Sequence, residues 1–193
     1  MTPLPFVWPH ALLFWSVEIW AFMPEFQIVR NAGKTSDAQD AKSKQVILIG
    51  TGLTFPVAVA FGFFGPLQIV SHRLAWFYVG IAVLVLGSLL RRHCWRMLGS
   101  SFTGNVEARG GQEIVTRGAY AILRHPSYTA ALLVNVGVGI AFGSWASAIL
   151  AAVVSVAVYS YRMQVEERAL VAAIGEPYRE FMRTRKRIIP FLY

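Results

Sequence analysis

The 193-residue chain is 55% hydrophobic and only 15% charged, with a mean hydropathy of +0.50. A water-soluble domain of this size has too little interior to hide so much apolar surface, so an ordinary globular protein is excluded and a bilayer is implied. The formal charge of +8 would suggest nucleic acid in a soluble protein, yet the basic residues stand beside apolar runs and no nucleic-acid partner is expected. The single cysteine, Cys94, excludes an intrachain disulfide and a CxxC metal framework.

The first residues, "MTPLPFVWPHALLFW", lack the positive n-region and small-residue cleavage site of a signal peptide and read as a retained membrane segment. A helix needs roughly 20 mainly apolar residues to span hydrocarbon. Residues 6–24, 46–64 and 73–90 meet that length with few charges. The stretch 127–161 is too long for one helix, and "FGSW" at 142–145 breaks it into two antiparallel helices joined at Gly143 and Ser144. The expected fold is therefore an all-α integral membrane protein with five transmembrane helices. Glu18 falls inside the first span, where a carboxylate is expensive, and is read as structural.

Basic residues orient this scheme. Of the 18 Lys and Arg, four lie in loop 25–45, six in segment 91–126 and seven from 162 onward, leaving only Arg73 for the opposite side. The positive-inside rule then puts the N-terminus outside and the C-terminus in the cytoplasm. Residues 1–90 form a unit of three N-terminal helices, and residues 91–193 a second unit. The second unit holds a folded cytoplasmic loop (91–126), a helical hairpin (127–161) and a helical cytoplasmic tail (162–193). The loop is studded with apolar residues and should pack on the helix ends, and the tail breaks at Gly175 before the amphipathic "YREFMRTRKR". The basic run of that tail reads as an anionic-lipid contact.

Two clusters carry possible chemistry. "RGAYAILRHPSY" (117–128) gathers Arg117, Arg124, His125 and two tyrosines at the mouth of an apolar helix. Pro126 suits a first helical turn, whose N–H groups and positive dipole end favour a carboxylate or phosphate. The same residues would equally serve as an interfacial anchor. In "YSYRMQVEERAL" (159–170), Arg162 and Glu166 are four apart and share a helical face, either as a pair of modest weight or as part of a site. The hairpin sets that face beside His125, so anion donors oppose a carboxylate and a zwitterionic ligand fits. His93-Cys94 lacks the ligand count of a zinc site, and no metal is expected.

"TRGAYAILRHPSYTA", a helical hairpin, then "RMQVEERAL", "GEPYREF" and "RIIPF" together resemble the C-terminal half of the isoprenylcysteine carboxyl methyltransferases, from about Leu98 to Phe191. The five spans resemble the shorter, prokaryote-type members. The resemblance implies S-adenosyl-L-methionine as methyl donor and a lipophilic prenylcysteine carboxylate as acceptor, with S-adenosyl-L-homocysteine as product. By position it assigns the cofactor to Asn105, Gln112, Glu113, Ile114, Val115, Tyr120, His125, Pro126, Ser127, Tyr128 and Glu166. Arg162 would face the acceptor, making Arg162 and Glu166 the catalytic pair. A plasma (inner) membrane is expected for a prokaryotic protein and the endoplasmic reticulum for a eukaryotic one. The rivals are a phospholipid methyltransferase, an NADPH-dependent sterol-type reductase, and a non-enzymatic channel or adaptor.

Overall fold

The computed structural model describes residues 1–31, 43–99 and 113–189. Five long helices follow in order: α1 (His10–Asn31), α2 (Ser43–Phe64), α3 (Arg73–Leu98), α4 (Pro126–Ala141) and α5 (Trp145–Ile174). The short α6 (Glu176–Thr184) comes after them, and 3-10 turns at Leu4–Phe6 and Gly118–Ala121 precede α1 and α4. The described residues contain isolated bridges but no sheet, in keeping with the all-α expectation.

Three stretches are long and apolar enough to cross a membrane: Gln45–Phe64, Arg73–Leu98 and Trp145–Ile174. His10–Met23 and α4 are shorter apolar helices. At 1.5 Å per residue α4 extends about 24 Å, short of a hydrocarbon core of about 30 Å. The outer helix faces are apolar: Leu12, Ile49, Leu53, Leu86, Ile149 and Val153 are all more than half exposed. Such a surface suits lipid, which demands only that the backbone satisfy itself within the helix.

The helix limits follow local chemistry. α3 continues through Arg91–Leu98, past the apolar stretch that ends at Leu90, because charge alone does not stop a helix. It stops at Gly99, whose φ of +52° suits a residue without a side chain. The hairpin turns at Gly143 (φ +81°), and the Ser144 hydroxyl accepts from the Ser147 N–H to cap α5. That turn is locked to the α2–α3 connection: Ile69 N–H donates to the Gly143 carbonyl at 2.8 Å and Trp145 N–H to that of Leu67 at 3.0 Å.

Packing centres on α3 and α4, which approach closely because small residues face each other. A Cβ built on Gly80 would lie 2.5 Å from the Ala141 nitrogen, and one on Gly137 would lie 2.6 Å from the Leu84 nitrogen. Gly87 meets the Ala130 carbonyl and the Val134 nitrogen in the same way. Without a hydrophobic drive between helices in lipid, close backbone approach of this kind supplies the van der Waals contact. Phe142, at the turn, gathers Phe6, Phe14 and Phe55 around itself with ring centroids 5.2 to 5.9 Å away. Between α4 and α5, Asn135 donates to the Ser155 hydroxyl at 3.0 Å. The α3–α4 crossing is the rigid frame of the molecule.

Replacing Gly137 with valine should force that crossing apart and cost roughly 1–3 kcal/mol. Gly52→Ala, whose new methyl meets open space, should be neutral or slightly stabilising. Thermal or denaturant unfolding in detergent, followed by helical circular dichroism, compares the two.

Candidate active site

At the end of the bundle where α4 begins, basic side chains from two separate segments converge on one carboxylate of a third. The apolar part of α5 ends at Tyr161, and its remaining turns, 162–174, carry Arg162, Glu166 and Glu167. Glu167 is 3% exposed. Its Oε1 lies 3.1 Å from His125 Nε2 and 3.0 Å from Arg124 Nη1, and its Oε2 accepts from Arg187 Nη2 at 2.8 Å. Burial pushes the Glu167 carboxyl up, but hydrogen bonds from His125 and Arg187, with the charge of Arg124, outweigh it and hold the group at about 2. It is a permanent anion at neutral pH.

The tail makes this convergence possible. Beyond α6, residues 186–188 lie alongside 123–125, with Leu123 and Lys186 forming a parallel bridge. Arg124 and His125 donate their backbone N–H groups to the carbonyls of Lys186 and Arg187 at 2.8 and 3.0 Å. The Thr129 hydroxyl donates to the Ile188 carbonyl at 2.7 Å, and Ile188 itself is fully covered. The basic run expected to meet lipid thus turns inward at Arg187, while Arg185 lies over the Phe181 ring at 4.9 Å.

Glu166 is placed differently from its neighbour. Its side chain is 32% exposed and its Oε2 accepts from the Tyr128 hydroxyl at 2.9 Å, with His125 Nδ1 3.9 Å away. Tyr128 stacks on Tyr159 at 5.1 Å, so the hydroxyl is aimed by ring packing from α4 and α5. One turn earlier, the buried Arg162 donates from Nη1 to the Ser43 hydroxyl at 2.6 Å, tying the start of α2 to α5. Arg91, from α3, donates to both the carbonyl and the hydroxyl of Ser127.

The sequence-assigned residues therefore divide. His125, Tyr128 and Glu166 form one group, flanked by Pro126 at the first turn of α4. Ser127 turns to Arg91, whereas Arg162 stays hydrogen-bonded to Tyr128 while also donating to Ser43. Tyr120 is buried in the Gly118–Ala121 turn. Glu113 is exposed and Ile114 and Val115 half-buried in the approach to that turn. Asn105 and Gln112 lie outside the described residues. The first-turn amides expected to cradle an anion are largely engaged, since Tyr128 N–H also returns to the His125 carbonyl at 3.0 Å. Glu167 and Arg187 were passed over in the sequence. The signal was the doubled glutamate: an Arg-His pair packed at a helix mouth needs its own carboxylate, and two stand side by side in "VEERAL".

Fold and site define a helical membrane protein with an ionised polar cluster built at one end of an apolar bundle. Residues 79–172, from α3 to the last turns of α5, match the isoprenylcysteine carboxyl methyltransferase family. The chain is 33% identical over 115 residues to protein-S-isoprenylcysteine O-methyltransferase B of Arabidopsis thaliana, a match covering 58% of each protein. It is 30% identical over 114 residues to protein-S-isoprenylcysteine O-methyltransferase of Schizosaccharomyces pombe, covering 58% of this chain and 48% of that one. The chain thus matches only about half the length of these curated relatives. A solved structure of the eukaryotic intramembrane Ras methyltransferase, an isoprenylcysteine carboxyl methyltransferase, superposes with a TM-score of 0.59 at 24% identity, over 77% of this chain and 52% of that one. That is a likeness of fold. Residues 79–172 thus resemble the isoprenylcysteine carboxyl methyltransferase family, and the apolar helices make the chain an integral membrane protein.

A carboxylate held below its ordinary value of 4.5 stabilises the fold at every pH above that value and loses the contribution as pH falls toward about 2. The melting temperature in detergent should accordingly stay level from pH 7 to 5 and drop between about 4.5 and 2. In Glu167→Gln the same acid limb should be shallower from a lower plateau.

Proposed function

We propose that the protein transfers a methyl group from S-adenosyl-L-methionine to the C-terminal carboxylate of a prenylated cysteine, or a similar lipophilic carboxylate, at the cytoplasmic membrane interface. In this reading the apolar parts of all five long helices are membrane-embedded, α5 leaving the bilayer at Tyr161. The N-terminus is outside and residues 162–193 are cytoplasmic, a reading supported by the 17 of 18 basic residues that fall on one side. Residues 1–90 form the supporting helices, and 91–193 the catalytic unit with its loop, hairpin and tail.

The observation that carries the proposal is the contrast between adjacent glutamates. Glu167 is sealed and neutralised by three basic groups, whereas Glu166 keeps a third of its side chain open at the polar end, one turn from the Arg162 guanidinium. An accessible carboxylate and a guanidinium on one face suit a ligand that brings both signs. When bound, S-adenosylmethionine supplies a methyl group already activated by its sulfonium charge. Glu166, aimed by Tyr128, would meet the cationic part of that molecule. Tyr120, Ile114 and Val115 would pack its apolar surface, and His125, Pro126, Ser127 and Glu113, with Asn105 and Gln112, would complete its surroundings.

The acceptor asks little of the protein. A C-terminal carboxylate has a pKa of roughly 3.5, so it is ionised at neutral pH and needs no general base. Arg162 can hold it through a guanidinium fork, while positioning and exclusion of water from the nucleophile supply the rate. The prenyl chain stays in the lipid with the reacting group at headgroup depth.

Calorimetry with S-adenosylhomocysteine tests the cofactor. Wild type should bind and Glu166→Ala should bind about tenfold or more weakly, as loss of a hydrogen bond to a charged group predicts. Absence of binding by well-folded wild type would remove the methyltransferase reading. In a methylation assay with a farnesylated cysteine analogue, Arg162→Lys keeps the charge but loses the fork. The acceptor KM should rise roughly 10- to 100-fold while S-adenosylhomocysteine affinity is preserved.

A further inference from the structure

Glu167 is too buried to meet any ligand, yet it faces the ring that stands beside the accessible Glu166. An ionised carboxylate has no proton to give, so the 3.1 Å contact between Glu167 Oε1 and His125 Nε2 requires the hydrogen to sit on Nε2. In the neutral ring the opposite nitrogen, Nδ1, then presents a lone pair. That nitrogen lies 3.9 Å from Glu166 Oε2. Two acceptors at this separation leave a notch that a single nitrogen donor about 2.9 Å from each would bridge. An ammonium group, with three hydrogens to share, has that form. The Tyr128 hydroxyl, donating to Glu166 Oε2 at 2.9 Å, holds the carboxylate in place.

We propose that Glu167 is a positioning residue: it fixes the tautomer of His125 so that Nδ1 and the Glu166 carboxylate together seat the α-ammonium group of the methyl donor. The assignment rests on the methyltransferase reading and gives it an orientation, with the donor's amino group rather than its carboxylate beside His125. Arg124 and Arg187 act indirectly. By pairing with Oε1 and Oε2 they keep Glu167 ionised, and a carboxylate that stays ionised can only accept from the imidazole.

The test uses full-length protein in detergent with 15N-labelled histidine, the His125 signals being assigned by their loss in His125→Asn. At pH 8 wild type should show a pyrrole-like Nε2 and a pyridine-like Nδ1. Glu167→Gln can keep its amide oxygen at the Oε1 position, where His125 and Arg124 donate, and so should preserve the tautomer and bind S-adenosylhomocysteine within about threefold of wild type. Glu167→Leu should mix the tautomers and weaken that binding about tenfold or more, the effect of a lost hydrogen bond to a charged group. 5′-Methylthioadenosine, which lacks the amino-acid end, should bind all three proteins alike. A protonated Nδ1 in wild type would overturn the inference without any variant being made. So would a Glu167→Gln protein that is folded but as weak as Glu167→Leu, because that pattern marks a purely structural charge. Binding of S-adenosylhomocysteine with the wrong tautomer sinks this inference alone. The expected tautomer with no binding sinks the methyltransferase reading and the ammonium seat with it.

Discussion

A single carboxylate, Glu167, holds together parts of the molecule that have no other reason to meet. Taking an anion out of water is expensive unless its attraction to partners and its hydrogen bonds repay the cost. Glu167 satisfies that condition only when Arg124, His125 and Arg187 are all in place. Two of these precede α4 and the third lies in the extended tail, so one electrostatic requirement fixes the start of one helix, the far end of another and the path of the tail. Once those are fixed, Tyr128 and Glu166 find each other without further adjustment.

The apolar part of the bundle sets the depth of this cluster. α4 is short and largely buried, enclosed by α3 and α5, and need not itself match a hydrocarbon thickness. α3 and α5 extend beyond its first turn, as far as Leu98 and Ile174. The start of α4 is therefore recessed between two overhanging helix ends, with Arg91 reaching across from one and Glu166 from the other. The glycines of the α3–α4 crossing matter to the site for this reason: any change in that spacing would move Ser127 relative to Arg91.

Much of this was legible in the sequence, for reasons that can be named. Long apolar runs, the "FGSW" break and Gly175 announce helices and their ends through hydrophobicity and backbone freedom, both of which are local. Arg162 and Glu166 share a face because four residues make a turn. The partners that decide their surroundings are not local. Ser43 reaches Arg162 across 119 positions and Arg187 reaches Glu167 across 20, through a tail whose charge pattern alone resembles a lipid contact. Helix length was misjudged in the same way: the basic residues after Leu90 mark the edge of the apolar zone, but α3 ends only at Gly99. Sequence periodicity reports what a segment is made of, and a folded tail lying across a helix mouth is a matter of what it meets.

The tail has a further consequence for how the protein fails. Residues 186–188 are held by two backbone hydrogen bonds, the Thr129 hydroxyl, the Arg187 pair and one buried isoleucine. The bundle beneath is held by interlocked helices. Local opening starts where few contacts must be broken, so this strap detaches while the helices remain intact. Its departure strips Glu167 of a cation and frees the amides of Arg124 and His125 at once. Warming or limited proteolysis should therefore dismantle the Glu167 cluster before it melts the bundle, and a sample can keep its helical signature after that cluster has come apart.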